Sequence, residues 1–216
     1  MGLAIDASRF SRSPNETLIG QLAAECRMPL CYGGGVKTVD QFERLIALGV
    51  EKVAVSSAAV DQPELISRAT ERVGSQSVVV VIDVKNTGLM RQPEVVTLNA
   101  TKRSGFDPVA FASKMQDLGA GEIVLNSVDR DGGLMGYDLD LVERVRHVIS
   151  VPLTVLGGAG SIKDIGELVR GYPVIGAAAG SLFVFKGKYR AVLINYPCRS
   201  KRDELTRPLD AEALSS

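Results

Sequence analysis

Apolar residues along this chain keep two alternating rhythms. Short runs rich in β-branched residues occur at Leu3–Ile5, Pro29–Tyr32, Val53–Ser56, Ser77–Asp83, Glu122–Ser127, Pro152–Leu156 and Val174–Ala178. Longer stretches between them, Asn15–Glu25, Asp40–Leu48, Pro63–Val73, Pro108–Leu118, Leu139–Val148 and Lys163–Val169, carry apolar side chains at helical spacing. Strands buried on both faces need continuous apolar runs, and parallel strands need long, usually helical, crossovers. Capping chemistry marks some helix starts: Ser13 and Asn15 precede the first stretch, and Asp61 with Pro63 is expected to open the third. The pattern predicts an α/β fold built on a parallel sheet.

An internal repeat sharpens that fold. The same offset of 124 residues separates Gly33 from Gly157 and Ser57 from Ser181. Gly-Gly-Gly-Val-Lys-Thr-Val-Asp (33–40) corresponds to Gly-Gly-Ala-Gly-Ser-Ile-Lys-Asp (157–164), and Ala-Val-Ser-Ser-Ala (54–58) to Ala-Ala-Gly-Ser-Leu (178–182). A duplicated half-barrel of four strand–helix units gives a TIM (β/α)8-type barrel. Seven strand candidates are one short of eight, and such barrels typically need about 250 residues. The expectation is an incomplete barrel over 1–196 without its first strand–helix unit, followed by a polar tail, 197–216. An open barrel exposes two sheet edges.

Composition narrows the function classes. Hydrophobic residues make up 45% and charged residues 23% of the 216 positions, ordinary for a globular domain. Lys plus Arg equals Asp plus Glu at 25 each, so no global basic field exists to hold nucleic acid or an anionic membrane. Cys26, Cys31 and Cys198 show no CxxC spacing, and His147 is the sole histidine, so neither a disulfide framework nor a metal site is expected. No apolar run is long enough to span a bilayer and Met1–Asp6 does not read as a signal peptide, which predicts a reducing, cytoplasmic compartment.

Candidate chemistry clusters at strand ends. Gly33-Gly34-Gly35 ends a strand and precedes a helix, so its backbone N–H groups can approach a phosphate unobstructed, and Gly157-Gly158-Ala159-Gly160 repeats the arrangement. Each glycine run is followed one strand later by a serine-bearing turn, Ser56-Ser57 and Gly180-Ser181. Two grips on one face predict a ligand with a phosphate at each end. Asp83 closes the most apolar strand at its C-terminal end, where barrel enzymes carry their catalytic groups, and a carboxylate there can exchange protons with substrate. Asp129 and Asp131 end another strand beside Gly132-Gly133, Asp129 with a structural turn as a serious rival role.

Three segments carry a resemblance: Gly-Ser-Gln-Ser-Val-Val-Val-Val-Ile-Asp-Val-Lys (74–85), Gly-Ala-Gly-Glu-Ile-Val-Leu-Asn-Ser-Val-Asp-Arg-Asp-Gly (119–132) and Gly-Gly-Ala-Gly (157–160). They are similar to the cyclase subunit of imidazole glycerol phosphate synthase, over about Leu3 to Pro197. The resemblance implies a lyase or cyclase, without a cofactor or a metal, that pairs with a glutaminase subunit. The partner's ammonia crosses the barrel and reacts with a bis-phosphorylated nucleotide to give imidazole glycerol phosphate in histidine biosynthesis. It further implies that Asp83 is catalytic, that Gly35, Ser56 and Ser57 form one phosphate grip, and that Asp131, Gly132, Gly158, Gly180 and Ser181 form the other. Lys52 and Glu122 match the charged ring where ammonia enters. The family commonly has Asn-Thr where this chain has Ser56-Ser57.

The chain departs from the family in further ways. A second catalytic aspartate is expected on the missing first strand; counting back from Pro29 puts Ala4 at an aspartate position, and a local shift offers Asp6. The stretch from Lys85 to Arg103 is expected to be a shorter, differently composed loop. These features, with the ending Tyr189–Pro197, resemble a divergent paralogue of surface-polysaccharide clusters that relays ammonia for amidination of a nucleotide-linked sugar. Cyclase, ammonia relay and inactive fragment are the three outcomes left open, with slow turnover expected of the chain as it stands.

Overall fold

The computed structural model describes residues 2–3, 13–172, 174–186, 191–194, 196–198, 200 and 205. Ala4 and Asp6 lie outside the described residues, as does most of the expected polar tail.

Seven parallel strands form a curled sheet: β1 (Gly2–Leu3), β2 (Cys31–Gly33), β3 (Lys52–Val55), β4 (Val78–Thr87), β7 (Glu122–Ser127), β8 (Leu153–Leu156) and β9 (Ile175–Ala177), paired in that order. Helices α1 (Glu16–Glu25), α2 (Val39–Ala47), α4 (Glu64–Val73), α5 (Pro108–Asp117), α6 (Leu139–Arg146) and α7 (Ile162–Gly171) connect them, with short α3 (Ser57–Asp61) after β3 and α8 (Ser181–Val184) after β9. The fold is a partial (β/α)8 barrel, and among the described residues β9 does not pair with β1.

Strand periodicity divides the interior into two layers. Val78, Val80, Ile82 and Val84 on one face of β4 join the main core, with Phe42, Leu65, Phe111, Met115 and Leu141 of the helices. Val79 and Val81 on the other face pack with Ala54, Val124, Cys31 and Leu156 in a small separate cluster that fills the barrel interior.

The helix starts follow local chemistry. Asn15, Asp107 and Asp138 cap α1, α5 and α6 through their side chains. Thr38 with Gln41, and Ser161 with Asp164, close reciprocal capping boxes on α2 and α7. These two helices follow the two glycine runs, so the repeat survives in three dimensions as β2–α2–β3–α3 and β8–α7–β9–α8. Asp61 does not cap the third expected helix; it ends α3 and pairs with Lys102 Nζ at 3.5 Å, while Pro63 stands at the N-cap of α4 without a side-chain bond.

The stretch after Asp83 differs from the expected loop. β4 runs on to Thr87, turns at Gly88 (φ +71°), and pairs antiparallel with β5 (Gln92–Thr97), which pairs with β6 (Lys102–Arg103). Val95 and Val96 are buried on opposite faces of β5, an apolar pair too short to register beside the barrel strands.

Candidate active site

Every second residue of a strand faces the barrel interior, and this parity builds a column of side chains from one mouth to the other. Along β3 and its end it carries Lys52, Ala54 and Ser56; along β4, Val79, Val81 and Asp83; along β7, Glu122, Val124 and Asn126. The C-terminal mouth opens into a pocket of about 310 Å³ lined by Gly33–Gly35, Ser56, Ser57, Asp83, Asn126, Asp131 and the turn Leu98–Ala100.

Asp83 is the centre of that pocket. Its Oδ1 accepts a hydrogen bond from Asn126 Nδ2 at 2.8 Å and its Oδ2 accepts one from Ser56 Oγ at 2.8 Å. Burial pushes its carboxyl above the ordinary range; the two donors pull it down, and neighbouring Asp131 adds to the rise. A carboxyl in that state can give a proton as well as take one. Ser57 Oγ accepts from the Leu98 backbone N–H at 3.3 Å, which ties the β5–β6 turn to this wall. That turn is unusual: Leu98, Asn99 and Ala100 have φ of 53°, 56° and 61°, three successive side-chain-bearing residues in the left-handed region.

Of the expected second grip, Asp131 lines this pocket, whereas Gly132, Gly158, Gly180 and Ser181 lie outside its lining. Gly132 and Ser181 are neighbours, with Ser181 Oγ 3.8 Å from where a Cβ on Gly132 would stand. Gly180 opens α8, and Gly158 (φ +108°) is pressed against the Gly136 carbonyl. Asp129 accepts the Asn86 backbone N–H at 2.9 Å, the structural role weighed for it from sequence.

At the N-terminal mouth Lys52 Nζ and Glu122 Oε2 pair at 2.6 Å, and Thr154 Oγ1 donates to Glu122 Oε1 at 2.7 Å. The bond to Glu122 raises the Lys52 ammonium above its ordinary range. Just inside, burial pushes the Cys31 thiol up to about 11. Among the described residues no three His, Cys, Asp or Glu side chains are grouped to hold a metal ion, and no helix is long and apolar enough to cross a membrane.

Asn126, Thr154 and the Leu98–Ala100 turn were not legible as site residues in the sequence. For Asn126 a signal existed: counting by twos from Glu122 places it inside the barrel, at the register position opposite Asp83.

The family model described as "Histidine biosynthesis protein" matches residues 3–190. A provisionally named imidazole glycerol phosphate synthase subunit, hisF3, of Vibrio vulnificus (strain YJ016) is 54% identical over 200 residues, 93% of this chain and 77% of that protein. A provisionally named subunit HisF of the same synthase in Leptospira borgpetersenii is 49% identical, covering 94% and 80%, and the subunit HisF of Lactococcus lactis subsp. lactis (strain IL1403) is 41% identical, covering 84% and 70%.

Proposed function

The chain belongs to the histidine biosynthesis protein family, and from that premise we propose that it is the cyclase subunit of an imidazole glycerol phosphate synthase, which joins ammonia to a bis-phosphorylated nucleotide. The observation that carries this reading is the contrast between the two mouths of one barrel: a lysine–glutamate pair at the N-terminal end and a buried carboxyl bonded by neutral donors at the other.

Asp83 is the general acid–base in this reading, because burial holds its proton more tightly than an exposed carboxylate would. Gly35 and Ser57 hold one phosphate, with backbone N–H groups and a hydroxyl proton; Ser56, expected in the same grip, has its hydroxyl committed to Asp83. Asp131, Gly132, Gly158, Gly180 and Ser181 form the second grip. Ammonia reaches Asp83 from a glutaminase subunit docked at the Lys52–Glu122 mouth, past Ala54, Val79 and Val124, whose apolar surface offers water no partner. The protein works in the cytoplasm and needs no cofactor.

The test supplies the whole chain with ammonium salt and the bis-phosphorylated nucleotide and follows imidazole glycerol phosphate. Product from ammonium alone, and from glutamine only when the glutaminase subunit is added, is the expected result. Nucleotide binding without product under either nitrogen source would overturn the cyclase reading in favour of an ammonia relay.

A further inference from the structure

The two oxygens of Asp83 face partners of different kinds. Oδ1 faces the Asn126 amide nitrogen, which can only donate; Oδ2 faces the Ser56 hydroxyl, which can donate or accept. The amide is held in its orientation. Asn126 Oδ1 is buried without a hydrogen-bond partner among the described residues, an unfavourable arrangement that marks a constraint on the amide. Turning the amide round would aim its oxygen at the carboxylate and bury two unpaired N–H groups beside Gly157, where a Cβ would come within 3.0 Å of the present Oδ1. Gly157 itself has φ +89°, and a Cβ there would also stand 2.5 Å from the Ser127 carbonyl, so this wall is reserved for glycine. Ser56 gives the complementary sign. It stands at the N-cap of α3, where serine ordinarily accepts from a backbone N–H of the first turn, yet it makes no capping bond.

We infer that Asn126 and Ser56 are positioning residues that fix where Asp83 carries its proton: on Oδ2, against the reversible hydroxyl of Ser56, and not on Oδ1, which the fixed amide donor occupies. Ser56 donates to the carboxylate and accepts from the acid, so a single partner serves both forms. Protons therefore enter and leave Asp83 at one oxygen. The charged group acting on this pair is Asp131, from the loop after β7; Ser56 faces it from the end of β3 and Asn126 from β7. The consequence for catalysis rests on the acid–base role proposed above, whereas the protonation site can be read without turnover.

The experiment titrates the Asp83 carboxyl by carbon NMR in the ligand-free whole chain. Asn126→Leu removes a donor that holds the anion more strongly than it holds the neutral carbonyl of the acid, so proton binding by Asp83 strengthens about tenfold. Ser56→Ala removes a partner of both forms, so the two losses largely cancel and the change stays within about threefold; Ser56→Thr restores wild-type titration. In the acid form Oδ1 is the carbonyl oxygen, and Asn126→Leu raises its infrared C=O stretching frequency by removing its hydrogen bond. Should leucine not pack, Asn126→Ala provides the same arm. Equal shifts for Ser56→Ala and Asn126→Leu, or a C=O stretch unmoved by the loss of Asn126, would overturn the inference. An inactive wild type would sink the proposed function and leave these titrations to decide the protonation site.

Discussion

Asp83 on β4 and Glu94 on the adjacent β5 are both carboxylates drawn into the protein, and both accept hydrogen bonds from neighbouring strands, yet their chemistry diverges. Glu94, 8% exposed, takes the Thr87 hydroxyl, the Arg103 guanidinium at 2.7 Å and the Gly105 backbone N–H at 2.8 Å. Its carboxyl is held down at about 2, first by the bond from Arg103. Asp83 takes two neutral donors, and there burial wins and its carboxyl rises. The presence of a cation separates the two more than the number of bonds does. With arginine beside it a carboxylate becomes a permanent anion that fastens the β4–β5–β6 excursion; without one it stays able to exchange a proton. The excursion also delivers the Leu98–Ala100 turn to the pocket, so the strand carrying Glu94 helps to wall the pocket that holds Asp83.

The largest effect is expected at Asp83. Asp83→Asn keeps the shape of the side chain and removes the proton donor, so ammonia-dependent turnover should fall about 10²–10⁴-fold. Binding of the bis-phosphorylated nucleotide, measured by calorimetry, should persist; an active variant would end the catalytic role of this carboxyl.

Glu94 should respond in stability. Glu94→Ala leaves Thr87 and Gly105 donors without their acceptor and lowers Tm by roughly 2–6 °C at neutral pH. Because its folded pKa is depressed from 4.5 to about 2, the stabilisation is full above 4.5 and is lost as pH falls through about 2. Melting curves of wild type and variant should therefore converge over that window.

Stability of the same Asp83→Asn protein should shift in the opposite direction, because the Asp83 carboxyl is raised where that of Glu94 is lowered. A carboxyl with a raised folded pKa adds stability that is full below its ordinary value of 3.8 and is lost as pH rises through the raised value. The amide variant should thus melt above wild type at neutral pH, with the gain vanishing below pH 3.8 in a pH series of melts.

Lys52→Met tests the other mouth and has the smallest expected effect on stability. Lys52 is about a third exposed, and such pairs contribute about 0–1 kcal/mol. Tm should move little, while glutamine-dependent turnover drops and ammonium-dependent turnover remains. Equal loss from both nitrogen sources would remove the ion pair from the path of ammonia.

Much of this was legible beforehand because it depends on local pattern. The seven parallel strands, the six principal helices and the 124-residue repeat follow from apolar periodicity and capping residues, and Asp83 stood out as the polar end of an unbroken apolar strand. The β5–β6 excursion did not stand out, because Val95 and Val96 are apolar for only two residues and their pairing depends on Glu94 reaching Arg103 across a turn. Asp61 looked like a helix cap by sequence, but the intervening α3 turned it toward Lys102.

The chain by itself determined which residues can be strand, helix and rim, since the period of two, the period of 3.6 and the conformational freedom of Gly33–Gly35 and Gly157–Gly158 are properties of short segments. Tertiary structure decided the partners. Ser56, Asp83 and Asn126 lie 27 and 43 residues apart and meet only through strand register, which sets Asp83 beside Asn126 and turns Ser56 from capping a helix to holding a carboxylate. Long-range pairing of this kind is a sum of many weak packing choices across the sheet, so no single segment encodes it.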